Sequence, residues 1–103
     1  MRKHLIFLFL VGILTVPAKS QEEFHPEALV LIQTGKVREA LTVLVEAVRE
    51  TSEDPKVSAS LGLLYTKTRE CYLAWKYLRI AQDLGSKDST LAGSVRRLCK
   101  EPK

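Results

Sequence analysis

The sequence predicts an all-α fold in which antiparallel helix pairs stack against one another. Apolar residues recur at spacings of three and four along the chain, the pattern of helices that bury one face. Similar residue types also return after 34 positions, as in arrays of helical repeats. Beyond residue 20, the sequence contains neither Asn-Gly turns nor alternating apolar runs, so we expect no β-strands.

The first twenty residues have the composition of a secretory signal peptide. Met1–His4 carry positive charge, Leu5–Val16 are almost wholly apolar, and Ala18-Lys19-Ser20 places small residues at a cleavage position. The apolar run is about twelve residues long, whereas a membrane-spanning helix needs about twenty. We therefore predict a signal peptide at 1–20, cleavage near Ser20 and a secreted or periplasmic domain at 21–103. An uncleaved N-terminal helix that anchors the protein is the less favoured alternative.

Loss of this segment changes the charge of the chain. The full sequence has 16 Lys and Arg against 12 Asp and Glu. Without the three basic residues among the first twenty, 13 Lys and Arg remain against 12 Asp and Glu, which gives a net charge of +1. The strongest remaining basic cluster, from Arg96 to Lys103, lacks interleaved aromatic residues, so the composition argues against nucleic-acid binding.

The first two helices follow from local signals. The first is expected to begin near Pro26, since proline is tolerated in a first turn, and to end at Gly35, which accepts a left-handed conformation. The second is expected from about residue 37 to 51, where apolar residues recur on one stripe. The residues of that stripe are Val37, Ala40, Leu41, Leu44, Ala47 and Val48.

Three more helices are expected in the second half of the chain. Asp54 followed by Pro55 supplies an N-cap and a first helical position for the third helix. Gly85 follows the fourth helix as a C-terminal signal. The predicted ranges are about 55–68, 70–84 and 88–98.

The period of 34 residues contains no insertions. Each unit of such an array can bury its apolar face only against a neighbour. The sequence predicts units at about 21–54 and 55–88, followed by a capping helix at about 88–99. The residues related by 34 positions include Ala28 and Gly62, Leu29 and Leu63, Leu31 and Tyr65, Ala40 and Ala74, Leu44 and Leu78, and Ala47 and Ala81.

The second unit resembles the tetratricopeptide repeat, whose pattern is Trp-x2-Leu-Gly-x2-Tyr, then Ala-x3-Phe, Ala and Pro. Leu61-Gly62-x2-Tyr65 matches the first part, and Ala74-x3-Leu78 followed by Ala81 matches the second. The first unit is a looser copy with Phe24 in the place of the tryptophan. Ser58 and Arg69 depart from the pattern, at the tryptophan of the second unit and the glycine of its turn.

The resemblance implies a short right-handed α-solenoid of two units and a capping helix; an unrelated antiparallel bundle is the alternative. It also implies a concave groove, lined by the first helices of the units, that binds a peptide or partner helix. The surface is apolar with a basic end, so an apolar or amphipathic ligand is expected. The groove residues implied are Leu29, Ile32, Gln33, Leu63, Thr66, Lys67, Arg97 and Lys100.

The large side chains of the second unit and the two cysteines lead to two further predictions. Tyr72, Trp75 and Tyr77 are candidate interface anchors, although packing roles are equally open. Cys71 and Cys99 are the only cysteines, an even number in a chain predicted to be exported, so one disulfide is expected. In the repeat arrangement it would join the fourth and fifth helices. Two separate buried thiols are the alternative.

Catalytic and metal-binding patterns are not recognisable. His25 is the only histidine after residue 20, too few ligands for a structural zinc site with two cysteines. Paired carboxylates at 22–23 and 53–54 are explained by capping and solvation. We expect a protein-interaction module with a protein or peptide partner, without enzyme activity, a cofactor, a metal or a small-molecule substrate. The alternatives are a structural protein that self-associates as a homo-oligomer and a membrane-anchored assembly factor.

Overall fold

Five α-helices form the described part of the protein, which a computed structural model defines at residues 22–86 and 90–102. Those ranges contain no strand, and the predicted all-α class is confirmed. The signal peptide and the helix start at Asp88 lie outside the described residues. The helices are α1 (Pro26–Gln33), α2 (Val37–Glu50), α3 (Pro55–Lys67), α4 (Cys71–Asp83) and α5 (Thr90–Leu98).

A capping side chain followed by proline starts both α1 and α3. The Nδ1 atom of His25 accepts a hydrogen bond from the backbone N–H of Ala28 at 3.3 Å. The carboxylate of Asp54 accepts one from the N–H of Lys56 at 2.8 Å. Both caps have an extended backbone, and the fixed φ of the following proline suits a first turn. The predicted starts of both helices are confirmed.

Helices α1, α3 and α4 end in turns of the same geometry. The backbone angle φ is +82° at Gly35, +63° at Arg69 and +111° at Gly85. In each turn the next N–H donates to the carbonyl five residues earlier, as in a Schellman helix end. Arg69 takes this conformation although it lacks the freedom of glycine. The three bonds are Lys36 to Leu31, Glu70 to Tyr65 and Ser86 to Ala81.

Helix α3 lies at the centre of the fold and contacts all four other helices. Helices α1, α3 and α5 contact one another in that order and form an inner row. Helices α2 and α4 form an outer row, in which α2 contacts α1 and α3, and α4 contacts α3 and α5. Because α3 has neighbours on several sides, nine of its thirteen residues are buried.

Small residues allow these helices to approach closely. A Cβ atom at Gly62 would lie 3.0 Å from Cδ2 of Leu91 and 3.5 Å from the backbone nitrogen of Leu78. Helices α4 and α5 therefore both reach the backbone of α3 at this point. Three alanines are fully buried as well: Ala28, Ala40 and Ala74.

Helix α5 is held at both ends. At its N-terminal end, the carboxylate of Glu23 accepts hydrogen bonds from the N–H groups of Thr90 at 3.1 Å and Leu91 at 3.4 Å, where the helix dipole favours negative charge. At its C-terminal end, Cys99 lies at disulfide-bonding distance from Cys71, with the Cα atoms 5.3 Å apart. The pairing predicted from the cysteine count is thus seen in the structure.

Two more donors reach the C-terminal end of α5. The indole N–H of Trp75 donates a hydrogen bond to the carbonyl of Cys99 at 3.2 Å. The Nη1 atom of Arg69 donates one to the carbonyl of Leu98 at 3.0 Å. Leu91 and Val95 are fully buried. Helix α5 therefore covers one side of α3 and α4.

The segment before α1 joins the two ends of the array. Phe24 is 1% exposed, and the N–H of His25 donates to Oγ of Ser60 at 2.8 Å. The Ser60 hydroxyl in turn donates to the carbonyl of Lys56 at 2.8 Å. Since Glu23 binds α5, residues 23–25 link α1 to both other helices of the inner row.

Candidate functional site

The residues implied to line a concave groove fall into two groups. Four of them are between 0% and 7% exposed: Leu29, Ile32, Leu63 and Thr66. They are buried because α1 packs against α3, and α3 is surrounded by the other helices. The Thr66 hydroxyl is also satisfied internally, by donating to the carbonyl of Gly62 at 2.7 Å. In the structure these four side chains pack inside the fold.

The other four implied groove residues are exposed: Gln33, Lys67, Arg97 and Lys100. They lie at or near the C-terminal ends of the three inner helices. Their side chains offer polar and basic contacts.

The three candidate interface anchors separate in the structure. Tyr72 is 71% exposed and remains available to a partner. Trp75 is 8% exposed, and its indole N–H is bonded to Cys99, so it is a packing residue. Tyr77 is half-buried and stacks on Tyr65, with ring centroids 5.7 Å apart and an interplanar angle of 23°.

An apolar groove opens between α2 and α4, and we call it the outer groove. It has a volume of about 330 Å³. Helix α2 forms one wall, Tyr77 of α4 the other, and α3 the floor. The lining residues are Leu41, Val45, Val48, Arg49, Leu61, Tyr65 and Tyr77.

Helix α2 leaves a stripe of apolar side chains open along this groove. Val45 is 42% and Val48 is 39% exposed, and with the half-buried Leu41 they follow one face of the helix. The fully buried residues of α2, Ala40 and Leu44, lie on a different stripe. Contiguous exposed apolar surface of this kind marks sites of contact with proteins or ligands.

Burial shapes the chemistry of the tyrosine pair in the outer groove. It raises the pKa of the Tyr65 hydroxyl, and the neighbouring Tyr77 and Glu70 raise this pKa further. The hydroxyl therefore stays neutral and can donate a hydrogen bond at physiological pH. Nζ of Lys76 lies 5.7 Å from the centroid of the Tyr77 ring, within the range of a cation–π contact.

Arg49 is the charged residue among those that line the outer groove, and Lys76 lies beside it on the Tyr77 ring. Nη1 of Arg49 lies 3.3 Å from Oε1 of Glu46, with the two side chains 73% and 61% exposed. Such an exposed pair contributes only about 0 to 1 kcal/mol, so Arg49 can exchange Glu46 for another carboxylate at little cost. Together with Lys76, Arg49 favours an occupant with acidic side chains beside its apolar ones.

A second hollow, of about 280 Å³, lies where α2 faces the start of α1. It exposes three carboxylates, but no group of three His, Cys, Asp or Glu within 22–86 and 90–102 is arranged to hold a metal ion. His25 already caps α1 through Nδ1. The hollow is thus an anionic surface. Its lining residues are His25, Glu27, Thr42, Val43, Glu46, Ala47 and Glu50.

Sequence reasoning missed the outer groove. It placed Leu41 and Val48 on the buried stripe of α2 and left Val45 unassigned. The available signal was the width of the apolar surface, because Leu41, Val45 and Val48 extend it beyond the face that Ala40 and Leu44 bury. A helix with so wide an apolar surface must meet neighbours on two sides or leave one side open.

Among the helices that the structure describes, none has the length and apolar content needed to cross a bilayer. No protein-family model, curated protein or solved structure matches this chain.

Proposed function

We propose that this protein is a small exported helical-repeat module, of the tetratricopeptide type, that binds a segment of another polypeptide. The rows of stacked helices and the 34-residue spacing between the turns at Gly35 and Arg69 support a short right-handed solenoid. The cysteine pair at disulfide distance fits an oxidising compartment, secreted or periplasmic. Cleavage near Ser20 is part of the same proposal.

The outer groove is the observation that carries the binding role. A helix in such a groove inserts apolar side chains spaced three, four and seven residues apart. The α2 wall has fourteen residues and is about 21 Å long, enough for two to three such anchors. An apolar lining with Arg49 and Lys76 beside it favours an amphipathic helix with acidic flanks. Tyr72 and the basic residues Lys67, Arg97 and Lys100 are exposed outside this groove and are not part of the proposed contact.

Affinity capture from the secreted or periplasmic fraction tests this role. Val48→Glu places a charge in the outer groove and should reduce the captured partner at least about tenfold, since an unpaired charge in an apolar contact is costly. Val30→Glu is the matched control, because Val30 is 58% exposed and lies on α1. Its capture should equal that of the wild type.

Lys67→Glu separates the outer groove from the concave surface implied by the repeat resemblance. We expect this variant to capture the partner normally. Loss of capture with Lys67→Glu but not with Val48→Glu would move the binding site to the concave face.

Self-association is the second candidate function. It is favoured by the open apolar stripe of α2 and by the number of units, since arrays of this kind usually need about three repeats. The membrane-anchored assembly factor requires an uncleaved N-terminal segment, which lies outside the described residues.

A further inference from the structure

We propose that the occupant of the outer groove is helix α2 of a second copy of this protein, bound antiparallel in a two-fold symmetric dimer. The inference rests on the proposed binding role of this groove and develops the self-association candidate, because it names the occupant, its direction and its register.

The apolar surface of α2 suits this arrangement. Val45 and Val48 are both part of the groove wall and exposed on the helix. In a two-fold interface the same patch contacts itself. The valines of one copy can then lie over the groove of the other, close to the stacked pair of Tyr65 and Tyr77.

The charges at the ends of α2 determine the antiparallel direction. Residues 36–40 carry two cationic and one anionic side chain, a net charge of +1. Residues 46–53, counted without Asp54 because its carboxylate caps α3, carry one cationic and three anionic side chains, a net charge of −2. Antiparallel pairing places the cationic end of each copy beside the anionic end of the other, which is the complementarity that sets orientation at interfaces.

The first and last turns of α2 are each neutral, with Arg38 and Glu39 in the first and Arg49 and Glu50 in the last. The excess charge at the two ends therefore comes from Lys36, Glu46 and Glu53. The N-cap residue of α2, Lys36, makes no side-chain capping bond. A partner of opposite polarity gives the charges a favourable role.

The register follows from the two-fold axis. With the axis beside Val45, Arg38 of one copy lies opposite Glu53 of the second copy, because these residues precede and follow Val45 by seven and eight positions. Both side chains are exposed. A contact face based on one fourteen-residue helix is at the small end of specific interfaces, so we expect a dissociation constant in the micromolar range.

Sedimentation velocity over about 1 to 200 µM measures the dimer in that range. The protein is expressed from its full-length gene and purified without reductant. We expect Val45→Glu to raise the dissociation constant at least about tenfold, since it brings a charge into the apolar contact. Val30→Glu, which alters a more exposed valine on α1, should leave it unchanged.

A charge swap tests the direction without changing the apolar contact. Arg38→Glu should weaken the dimer several-fold, and Arg38→Glu combined with Glu53→Arg should restore it. Within one chain the two positions are about 20 Å apart, so rescue can arise only between copies. Circular dichroism of each variant verifies the helical fold, and the swap keeps the test decisive if Val45→Glu misfolds.

Three results would overturn the inference. A wild-type monomer throughout, with capture of another protein still lost in Val48→Glu, would leave the proposed function standing with a different occupant. If the wild type stays monomeric and the Val48→Glu variant still captures a partner protein normally, both the inference and the proposed function would be overturned. A dimer that resists Val45→Glu, or that the charge swap does not restore, would place the interface elsewhere.

Discussion

The two helix pairs, α1 with α2 and α3 with α4, share their local geometry and differ in their surroundings. Equivalent hydrogen bonds close the two turns, from Lys36 to Leu31 at 2.8 Å and from Glu70 to Tyr65 at 2.9 Å. Yet Val30 is 58% exposed, whereas Leu64, 34 residues later, is 1% exposed. The reason is position, because α3 has α1 on one side and α5 on the other. A repeated sequence sets the local turn, and the place of a unit in the array sets what it buries.

The two helix pairs also differ in what their side chains do. The second pair is fixed by the Cys71–Cys99 pair and by the bonds that Trp75 and Arg69 make to the end of α5. The first pair carries the large exposed aliphatic side chains Val30, Val45 and Val48. Stability is therefore concentrated in the second pair, and α2 offers the apolar surface for recognition.

The largest contrast is expected between Leu64→Ala and Val30→Ala. Removal of the buried leucine should lower the free energy of unfolding by about 2 to 5 kcal/mol through lost burial and a cavity. The exposed valine should change it by no more than about 0.5 kcal/mol. Urea denaturation with the disulfide intact measures both. Equal effects would mean that α1 is as enclosed as α3, and the comparison would fail.

Loss of the disulfide should be the next largest effect. Replacing both Cys71 and Cys99 by alanine removes a link across 28 residues and should cost about 2 to 4 kcal/mol. Hydrogen exchange should show faster exchange in α5, with the amides of the α1–α2 turn little changed beyond the global loss. Reduction of the wild type is the control for the substitutions themselves. A uniform loss of protection would show that α5 does not unfold separately.

The smallest effects are expected at the equivalent turns. Gly35→Ala should cost about 1 kcal/mol because of its left-handed backbone, since no atom lies within 4 Å of the added Cβ. Arg69→Gly relieves similar strain but loses the bond to the Leu98 carbonyl, so its net effect should stay within about 0.5 kcal/mol. The midpoints of thermal unfolding of Gly35→Ala, Arg69→Gly and the wild type measure these effects.

Arg69→Ala is the control at the second turn, because it keeps a side chain with Cβ on the left-handed backbone and removes the guanidinium with its aliphatic stem. A loss of more than about 1 kcal/mol with Arg69→Gly would assign the contact with α5 a larger share of the stability than a typical net hydrogen bond provides.

Local features of the sequence were enough for the helices and their ends. Pro26, Gly35, Asp54 and Gly85 act through the backbone angles and hydrogen bonds of a few adjacent residues, and the structure places the helix ends at or within two residues of where they predicted them. The cysteine pairing also followed, since two cysteines in a chain predicted to be exported leave one intramolecular partner.

Tertiary structure decided which faces are closed. Leu63 and Thr66 were assigned to an open surface, and Trp75 was left undecided, because the pattern along one helix does not say how many neighbours enclose it. The outer groove has the same origin, since it depends on α2 and α4 both resting on α3 without closing over it. The sequence by itself determined the helices, their period and the covalent link, which depend on local backbone geometry and cysteine chemistry. Only the packed array decided that Val45 and Val48 stay accessible while Leu64 does not, because burial depends on the sum of neighbours in space.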